Sequence, residues 1–317
     1  MRVSAVVDID ENDIQDLSFD LVIVFCGYEG RAGYWAKRRG KKVNSNDRVY
    51  FDYEDDPVIL KKQTNRDLLQ KFGYRRVNLP RENELGAITE LLRDMIWDPT
   101  KKVRILVDYS SMRRTIYTEL LSSFLFNLVE ATCVDLYFTY SMGRYLNNHA
   151  PKYVDSHETL LGLDGRTSQK RQKLVVLNLG YEPVSSLTML EAIEPDRVMG
   201  ILASPGVNKL SAKRCMKLNK ILVEDHLGGE VDRVPIRSVE KYCRFVLENV
   251  GRLTDDFDIV FVPYGPKPHV LGSVLCCFTR REWTNVYIRG VESKPVDVEA
   301  IGQTVTTCVK LRRDIEL

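Results

Sequence analysis

The chain has 317 residues, of which 44% are hydrophobic and 28% are charged, and its formal net charge is +2. This length suits two domains that each bury a core, and the composition is typical of a globular protein in water. Dedicated nucleic-acid-binding proteins are usually strongly basic, so we expect no direct binding of nucleic acid.

The cysteines and the apolar runs indicate the compartment. Seven cysteines occur without a CxxC pair, which is typical of a reducing environment and predicts no zinc site. The stretch Met1–Glu11 contains early acidic residues, unlike a signal peptide. No run approaches the roughly 20 apolar residues of a membrane span. We therefore expect a cytoplasmic protein with no membrane segment, no metal site and no resident cofactor.

The first half alternates apolar runs of strand length with longer amphipathic segments. This pattern predicts strands at 21–25, 49–51, 76–79, 103–107 and 133–138. It predicts helices between them, at 31–39, 59–72, 82–97 and 112–130. Apolar strands that alternate with helices are typical of a parallel sheet covered on both faces.

The second half repeats this order. The predicted strands are 174–179, 198–202, 231–236, 259–262 and 285–288, and the predicted helices are 184–193, 208–224, 239–250 and 270–278. We expect a first Rossmann-like domain at 1–139, a polar linker at 140–172, and a second Rossmann-like domain at 173–317. The last of these includes a C-terminal tail, from residue 292, that the pattern places only loosely.

Short segments recur at a nearly fixed distance. Gly27-Tyr28-Glu29 returns as Gly180-Tyr181-Glu182 after 153 residues, and Asp47-Arg48-Val49 returns as Asp196-Arg197-Val198 after 149. Tyr109 and Tyr264 follow matching apolar runs, 155 residues apart. A repeat of this kind indicates an internal duplication. The predicted fold class is therefore α/β, with two tandem Rossmann-like doubly wound parallel sheets.

The fold class predicts where a ligand would bind. In a sheet of strand order 3-2-1-4-5, ligands bind beyond the carboxyl ends of strands one and four, at the topological switch point. The most strongly repeated turns fall at these ends. In the first half, the candidate ligand-binding residues there are Gly27, Tyr28, Glu29, Arg31, Asp108, Ser110, Ser111, Arg113 and Arg114.

These residue types suit an anion. Ser110 and Ser111 precede a helix, whose first N–H groups and dipole favour negative charge. Arg113 or Arg114 could supply the bidentate fork that a phosphate prefers, with Arg31 as a further clamp. In the alternative interpretation the serines are N-caps and the arginines are solvated.

Three carboxylates at the same edge are catalytic candidates. Glu29, Asp52 and Asp108 lie at or just past predicted strand ends, where they could act as general acid or base. Asp108 could instead order the turn that contains it. The sequence contains no phosphate-binding P-loop, dinucleotide fingerprint, HExxH or GxSxG motif that would decide between these roles.

The corresponding edge of the second half carries less charge. Its candidate ligand-binding residues are Gly180, Glu182, Gly265, Lys267 and His269. Two prolines flank Lys267 and fix the backbone, which could present the lysine to an anion or leave it as an exposed side chain on a stiff loop. A single histidine such as His269 is more often a capping or core residue than a base.

The turn Asp108-Tyr109-Ser110-Ser111-Met112-Arg113 and its counterpart Tyr264-Gly265-Pro266-Lys267-Pro268 resemble the ligand-binding turn of the CARF and SAVED domains. These are Rossmann-like nucleotide sensors of prokaryotic antiviral systems, and SAVED domains resemble two fused CARF-like units. The paired glycines of the family turn are absent from both copies. The resemblance implies a sensor of nucleotides, cyclic oligonucleotides among them, that acts in a defence-type assembly.

Three functions are therefore open. The first is nucleotide sensing, with a phosphorylated nucleotide as ligand and a protein partner or a homo-oligomer as the assembly. The second is a structural subunit whose partner covers the tail and the linker. The third is a nucleotide or nucleoside hydrolase or transferase that uses Glu29 or Asp108.

Overall fold

A computed structural model describes residues 1–40, 42–95, 98, 101–144, 154–159, 163–165, 172–290 and 296–313. The chain divides into two compact units. The first consists of Met1–Asn148 together with Pro295–Leu317, and the second of His149–Lys294.

The first unit is built on a seven-stranded sheet. Across the sheet, the strands are β1 (Arg2–Ile9), β13 (Glu299–Arg312), β6 (Cys133–Arg144), β5 (Val103–Asp108), β2 (Ser18–Phe25), β3 (Asn44–Tyr53) and β4 (Arg75–Leu79). The pairs from β6 to β4 are parallel, and β13 is antiparallel to both β6 and β1. A 3-10 helix, Gly30–Gly33, precedes the α-helices α1 (Tyr34–Arg39), α2 (Lys62–Lys71), α3 (Glu84–Arg93) and α4 (Arg114–Leu125).

The second unit has a six-stranded sheet. Its order is β10 (Asp232–Val234), β9 (Arg197–Ala203), β8 (Gln172–Asn178), β11 (Phe257–Pro263), β12 (Thr284–Gly290) and β7 (Val154–Thr159). All pairs are parallel except β12 with β7. The helices are α5 (Pro183–Ile193), α6 (Ser211–Leu218), α7 (Lys220–His226), α8 (Val239–Asn249) and α9 (Lys267–Thr279), with a 3-10 helix at Gly251–Leu253.

The predicted α/β class and strand order are confirmed in both units. Numbered from β2 or from β8, each parallel set has the order 3-2-1-4-5. The switch points therefore lie between β2 and β5 and between β8 and β11. The centre of β2, Leu21–Val24, is fully buried because helices cover both faces of the sheet. No helix within the described residues is long and apolar enough to cross a membrane.

The predicted domain bounds are wrong for the C-terminal tail. Strand β13 pairs along its length with β6 and along its second half with β1, so it belongs to the first unit rather than to the second. The two units are consequently not strictly tandem, because the second lies within the sequence of the first. Parts of the predicted linker 140–172 are strands: β6 continues to Arg144, and β7 is an edge strand of the second sheet. Most of the remaining linker lies outside the described residues.

The predicted helix 208–224 is divided. It consists of α6 and α7, which meet at Asn219. Cys215 and Leu222 on these helices pack with Val175 and Leu177 of β8 in one core cluster. In the first unit, Val22 and Val24 of β2 occupy the equivalent cluster.

Candidate functional site

Gly27 allows two turns to approach each other at the first switch point. A Cβ atom on Gly27 would lie 2.8 Å from the Cβ atom of Ser111, closer than real Cβ atoms come. The Ser111 hydroxyl donates a hydrogen bond to the carbonyl oxygen of Phe25, at 3.0 Å. The structure therefore brings the turns after β2 and β5 together, as the sequence predicts.

An asparagine that the sequence interpretation missed fixes the same turn. The Asn65 side chain on α2 is buried, and its Nδ2 atom donates to the carbonyl oxygens of Gly27 and Glu29, both at 2.9 Å. In the second unit, Asn219 Nδ2 donates to the carbonyl oxygen of Gly180, at 2.8 Å. The shared hydrogen bond supports the internal duplication.

A sequence signal for this pair was present. Asn65-Arg66-Asp67-Leu68-Leu69 matches Asn219-Lys220-Ile221-Leu222-Val223 in its asparagine, its basic residue and its two apolar residues. Asn65 and Asn219 are 154 residues apart, and the glycines whose carbonyl oxygens they bind, Gly27 and Gly180, are 153 residues apart. This repeated asparagine therefore marks, in the sequence, the residue that holds the turn in each unit.

Arg31 lies inside the protein. Its side chain is 2% exposed, and its Nε atom lies 2.5 Å from Glu29 Oε2. A terminal nitrogen donates to the Tyr140 hydroxyl at 2.9 Å, and the backbone N–H of Arg31 donates to the carbonyl oxygen of Val298. The guanidinium group stabilises the turn and is not positioned as the anion clamp that the sequence predicts. Glu29 is its counter-ion, which leaves this carboxylate poorly suited to act as a base.

Asp52 is also a structural residue. Its fully buried carboxylate is 2.8 Å from Lys62 Nζ, 2.7 Å from Arg66 Nε and 3.3 Å from Arg76. Burial of a carboxylate is costly unless cations and hydrogen bonds compensate for the lost water. The three cations provide that compensation, so the predicted catalytic role of Asp52 does not match its surroundings.

Asp108 orders the turn after β5. Its Oδ1 atom accepts hydrogen bonds from the Ser110 backbone N–H, at 3.0 Å, and from the Ser110 hydroxyl. The Ser110 Oγ atom in turn accepts from the backbone N–H of Ser141, at 2.7 Å. Both side chains are buried. The alternative interpretation, in which Asp108 shapes the turn, describes this geometry better than catalysis does.

Two partly exposed arginines lie over the Tyr53 ring, and one of them, Arg113, directly precedes α4. The side chains of Arg81 and Arg113 are 42% and 40% exposed, and each has an acidic partner, Asp56 for Arg81 and Glu84, at 3.6 Å, for Arg113. Their guanidinium carbons lie 4.4 and 5.4 Å from the centre of the Tyr53 ring, at the carboxyl end of β3. Arg113 is the N-cap residue of α4, and an arginine side chain cannot accept hydrogen bonds from the first-turn N–H groups. We call Arg81, Arg113 and the first turn of α4 the arginine edge.

Two acidic side chains, Glu84 and Glu119, lie near the arginine edge. Tyr53 donates its hydroxyl hydrogen bond to Glu84, which also accepts from the Thr115 hydroxyl at 2.8 Å. Burial raises the pKa of Tyr53, which keeps the phenol protonated. Burial, together with the negative charge of Glu84, raises the pKa of Glu119 to about 8. The sequence interpretation assigned no role to Glu84 or Glu119, whose partners come from different elements.

The arrangement of Arg114 differs from that of Arg113. Arg114 is the first residue of α4 and is partly buried. Its side chain bonds to Tyr117, so it points along its own helix.

Tyr28 is partly buried, and its carbonyl oxygen accepts the backbone N–H of Lys61.

In the second unit the repeated glycines again permit close approach. A Cβ atom on Gly180 would collide with the carbonyl oxygen of Tyr264, and one on Gly265 would lie 2.9 Å from the Asn178 Cβ atom. Glu182 is the N-cap residue of α5 without a side-chain capping bond, and Lys267 is the partly exposed first residue of α9. The turns meet as predicted, but fewer charged groups gather around them.

His269 is a core residue and not a ligand-binding one. It is fully buried, its ring packs 4.8 Å from that of Tyr242, and its Nε2 atom lies 3.4 Å from the carbonyl oxygen of Pro235. The Tyr242 hydroxyl donates to Asn178 Oδ1 at 2.8 Å. Burial lowers the pKa of His269 to about 4, so the ring is neutral at pH 7.

Two surface cavities lie away from the predicted crevices. Two cavities, of about 550 and 720 Å³, both border Arg197 and Val198 at the amino end of β9. Ligands of doubly wound sheets bind at the opposite, carboxyl edge. The cavity of about 720 Å³ is lined by four carboxylates, those of Glu191, Glu194, Asp196 and Asp225. Because these groups would repel an anion, we assign the candidate site to the arginine edge. Within the described residues, no group of three or more His, Cys, Asp or Glu side chains is placed to hold a metal ion.

Comparisons with known proteins identify no family. No protein-family model and no curated protein matches the chain. One similar solved structure comes from the work titled "Crystal structures of pinoresinol-lariciresinol and phenylcoumaran benzylic ether reductases, and their relationship to isoflavone reductases". It is 14% identical, with 90% of this chain and 94% of that chain covered, and its TM-score is 0.23. At this TM-score the likeness carries no argument about function.

Proposed function

We propose that the first unit binds a phosphorylated nucleotide at the arginine edge. The observation that carries this proposal is the placement of Arg81 and Arg113 over Tyr53, with Arg113 directly before α4. Arg81 and Arg113 already pair with Asp56 and Glu84, so each offers a phosphate its remaining exposed N–H groups. The helix N-terminus adds N–H donors and a positive dipole end. The site adjoins the switch point between β2 and β5, where the fold favours ligand binding.

Sensing fits the side chains better than catalysis does. The predicted catalytic carboxylates Glu29, Asp52 and Asp108 are each bonded to groups that shape the fold. A general base must reach the proton that it removes, and these three carboxylates are instead held by their bonds within the fold. The resemblance to CARF and SAVED domains supports nucleotides, cyclic oligonucleotides included, as the ligand class. It also supports a role in a defence-type assembly with a protein partner.

A structural-subunit role is the second candidate, and one observation favours it. Leu210, which directly precedes α6, and Ile221, near the start of α7, are 72% and 66% exposed. A protein partner could cover such exposed aliphatic side chains. Under this alternative the arginine edge would bind no nucleotide.

Thermal unfolding with a panel of nucleotides tests the proposal. Mono-, di- and cyclic oligonucleotides are added singly, and a ligand at 100 times its dissociation constant should stabilise the folded protein by about 2.7 kcal/mol. The Arg81→Gln/Arg113→Gln variant should bind at least about tenfold more weakly, since each lost charged hydrogen bond is worth roughly 1.5–3 kcal/mol.

Arg75→Gln is the matched control. Arg75 is an exposed arginine at the start of β4, where it pairs with Asp47 at the amino edge of the same sheet. It should bind nucleotide as the wild type does. Absence of any shift across the panel, or equal shifts in all three proteins, would overturn the nucleotide site at the arginine edge.

A further inference from the structure

The segment that precedes β13 reaches the candidate site. Because β13 is antiparallel to β6, its first residue, Glu299, pairs with Arg144 at the last residue of β6. The amino end of β13 therefore lies at the same edge of the sheet as the carboxyl ends of the parallel strands. Residues just before Glu299 are brought to the turn after β2.

Two hydrogen bonds join this segment to the turn. The backbone N–H of Gly30 donates to Asp297 Oδ1 at 2.7 Å, and the backbone N–H of Arg31 donates to the carbonyl oxygen of Val298 at 3.0 Å. Gly30 and Arg31 are the first two residues of the 3-10 helix Gly30–Gly33. Their N–H groups have no partner within the helix, because the first donors of any helix point away from it.

The local sequence does not provide a cap for these donors. Glu29 is the N-cap residue and makes no side-chain capping hydrogen bond, since its carboxylate is bonded to Arg31. An acidic group at this position is favourable, as helix N-termini attract negative charge. Asp297 supplies that group from a point 267 residues further along the chain.

Packing holds Asp297 in place. Its neighbour Val298 is buried, and a Cβ atom on Gly143 of β6 would collide with the Val298 side chain. The same hypothetical Cβ atom would lie 3.1 Å from a terminal nitrogen of Arg31. Gly143 thus leaves the space that Val298 and Arg31 occupy, and the carboxylate of Asp297 is directed at Gly30.

We propose that Asp297 is a positioning residue that caps the turn after β2 and holds it in the form that binds ligand. The turn carries Gly27 to Glu29, and Gly27 lies against Ser111 of the turn after β5, at the switch point where the fold favours ligand binding. The consequence for ligand binding rests on the proposed function. The capping role itself does not, so the two can be tested separately.

Hydrogen exchange of the ligand-free, full-length protein tests the cap. Asp297→Ala removes the acceptor of the Gly30 amide, which should exchange about fivefold faster, as expected for loss of a cap worth roughly 1 kcal/mol. Asp297→Asn keeps Oδ1 as an acceptor and should restore most of the protection. Unchanged exchange in Asp297→Ala would overturn the capping role.

Asp20→Ala is the matched control. The Asp20 carboxylate accepts the backbone N–H of Arg104 at 2.9 Å, in the same sheet. Its loss should raise exchange at Arg104 and leave Gly30 and Arg31 as in the wild type. Faster exchange at Gly30 in this variant too would show that general loosening of the sheet, and not the cap, controls the turn.

The nucleotide panel then tests the ligand consequence. The nucleotide that stabilises the wild type most should bind Asp297→Ala about fivefold to tenfold more weakly, and Asp297→Asn nearly as well as the wild type. Faster exchange with unchanged affinity would overturn the role in binding. If the wild type binds none of the nucleotides, the proposed function fails, while the exchange comparison still decides the cap.

Discussion

His269 makes the stability of the second unit depend on pH. Its ring is buried in neutral form, with a pKa lowered to about 4 by burial. An unfolded histidine has a pKa of about 6.5. Between these values the unfolded state binds a proton that the folded state does not. The free energy of unfolding should therefore fall as the pH drops from about 6.5 to about 4, by up to roughly 3 kcal/mol.

Urea titrations at pH 7, 6 and 5 measure this dependence. His269→Gln cannot be protonated, so the difference in unfolding free energy between wild type and variant should shrink as the pH falls. His226→Gln, which changes an exposed histidine on α7, should retain the wild-type dependence. A parallel decline in the wild type and His269→Gln would contradict the buried neutral ring.

At this scale the sequence predicted contacts made by small residues better than those made by charged ones. Gly27 and Gly180 lie in the turns after β2 and β8, where the repeat in the sequence places them, and the missing side chain allows a close approach of the backbone there. Arg31 and His269 were predicted to bind a ligand and Asp52 to be catalytic, but each is buried. Their partners, such as Tyr140 for Arg31, lie far along the chain, and no local pattern distinguishes a buried charge from an exposed one.

The helices α2 and α7 each begin near an asparagine that holds the repeated turn. Asn65→Asp and Asn219→Asp replace a donor amide by a carboxylate of the same size, which then faces carbonyl oxygens. Each variant should destabilise its own unit by about 3 kcal/mol, since a buried group without a partner costs roughly 1–3 kcal/mol and a charged one more. Urea titration gives the change in unfolding free energy, and hydrogen exchange shows which unit is affected.

Gln63→Glu is a chemically matched change on the exposed face of α2, where the amide bonds to Asp67. It should change the unfolding free energy by only a few tenths of a kcal/mol. If Asn65→Asp were as mild as Gln63→Glu, the hydrogen bonds to Gly27 and Glu29 would not hold the turn.

Elements with strong apolar periodicity were predicted well, and the others were not. The ten parallel strands from β2 to β6 and from β8 to β12 coincide with predicted strands. The central strands β2, β5, β8 and β11 have the strongest signal, because burial on both faces makes them almost continuously apolar. The antiparallel strands β1, β7 and β13 were not predicted, since their sequences mix polar with apolar residues. The break at Asn219 was hidden by apolar residues on either side, although a buried asparagine that binds a turn is a reason for it.

At the scale of the molecule, the return of the chain to its first sheet could not be predicted. The sequence predicts only Arg113 of the arginine edge. Arg81 and Tyr53 lie far from Arg113 in sequence, so no local pattern indicates that the fold brings them together. Strand β13 pairs with β1, which is about 300 residues away in sequence, as in the pair Val6 and Val309. Such a pairing leaves no local trace, because either unit could accommodate an added edge strand. The strand order within each unit was predictable, since right-handed crossovers restrict the arrangements available.

A proline in β13 tests which unit contains it. Val309 is buried and pairs with Val6 on one side and Leu136 on the other. Val309→Pro removes a backbone donor from an interior strand, which should cost roughly 3 kcal/mol or more. Hydrogen exchange should increase across β1, β2, β5 and β6, while β8 to β12 remain protected as in the wild type.

Val175→Pro is the reciprocal change. Val175 is buried in β8, between Val260 and Val198, and the proline should release β8 to β12 while the first sheet keeps its protection. Opposite exchange patterns in the two variants require that Val309 stabilises the first unit, although it follows the whole of the second in sequence. Loss of protection in the second unit in both variants would instead return the C-terminal strand to that unit, and Asp297 with it, which would remove the cap from the turn after β2.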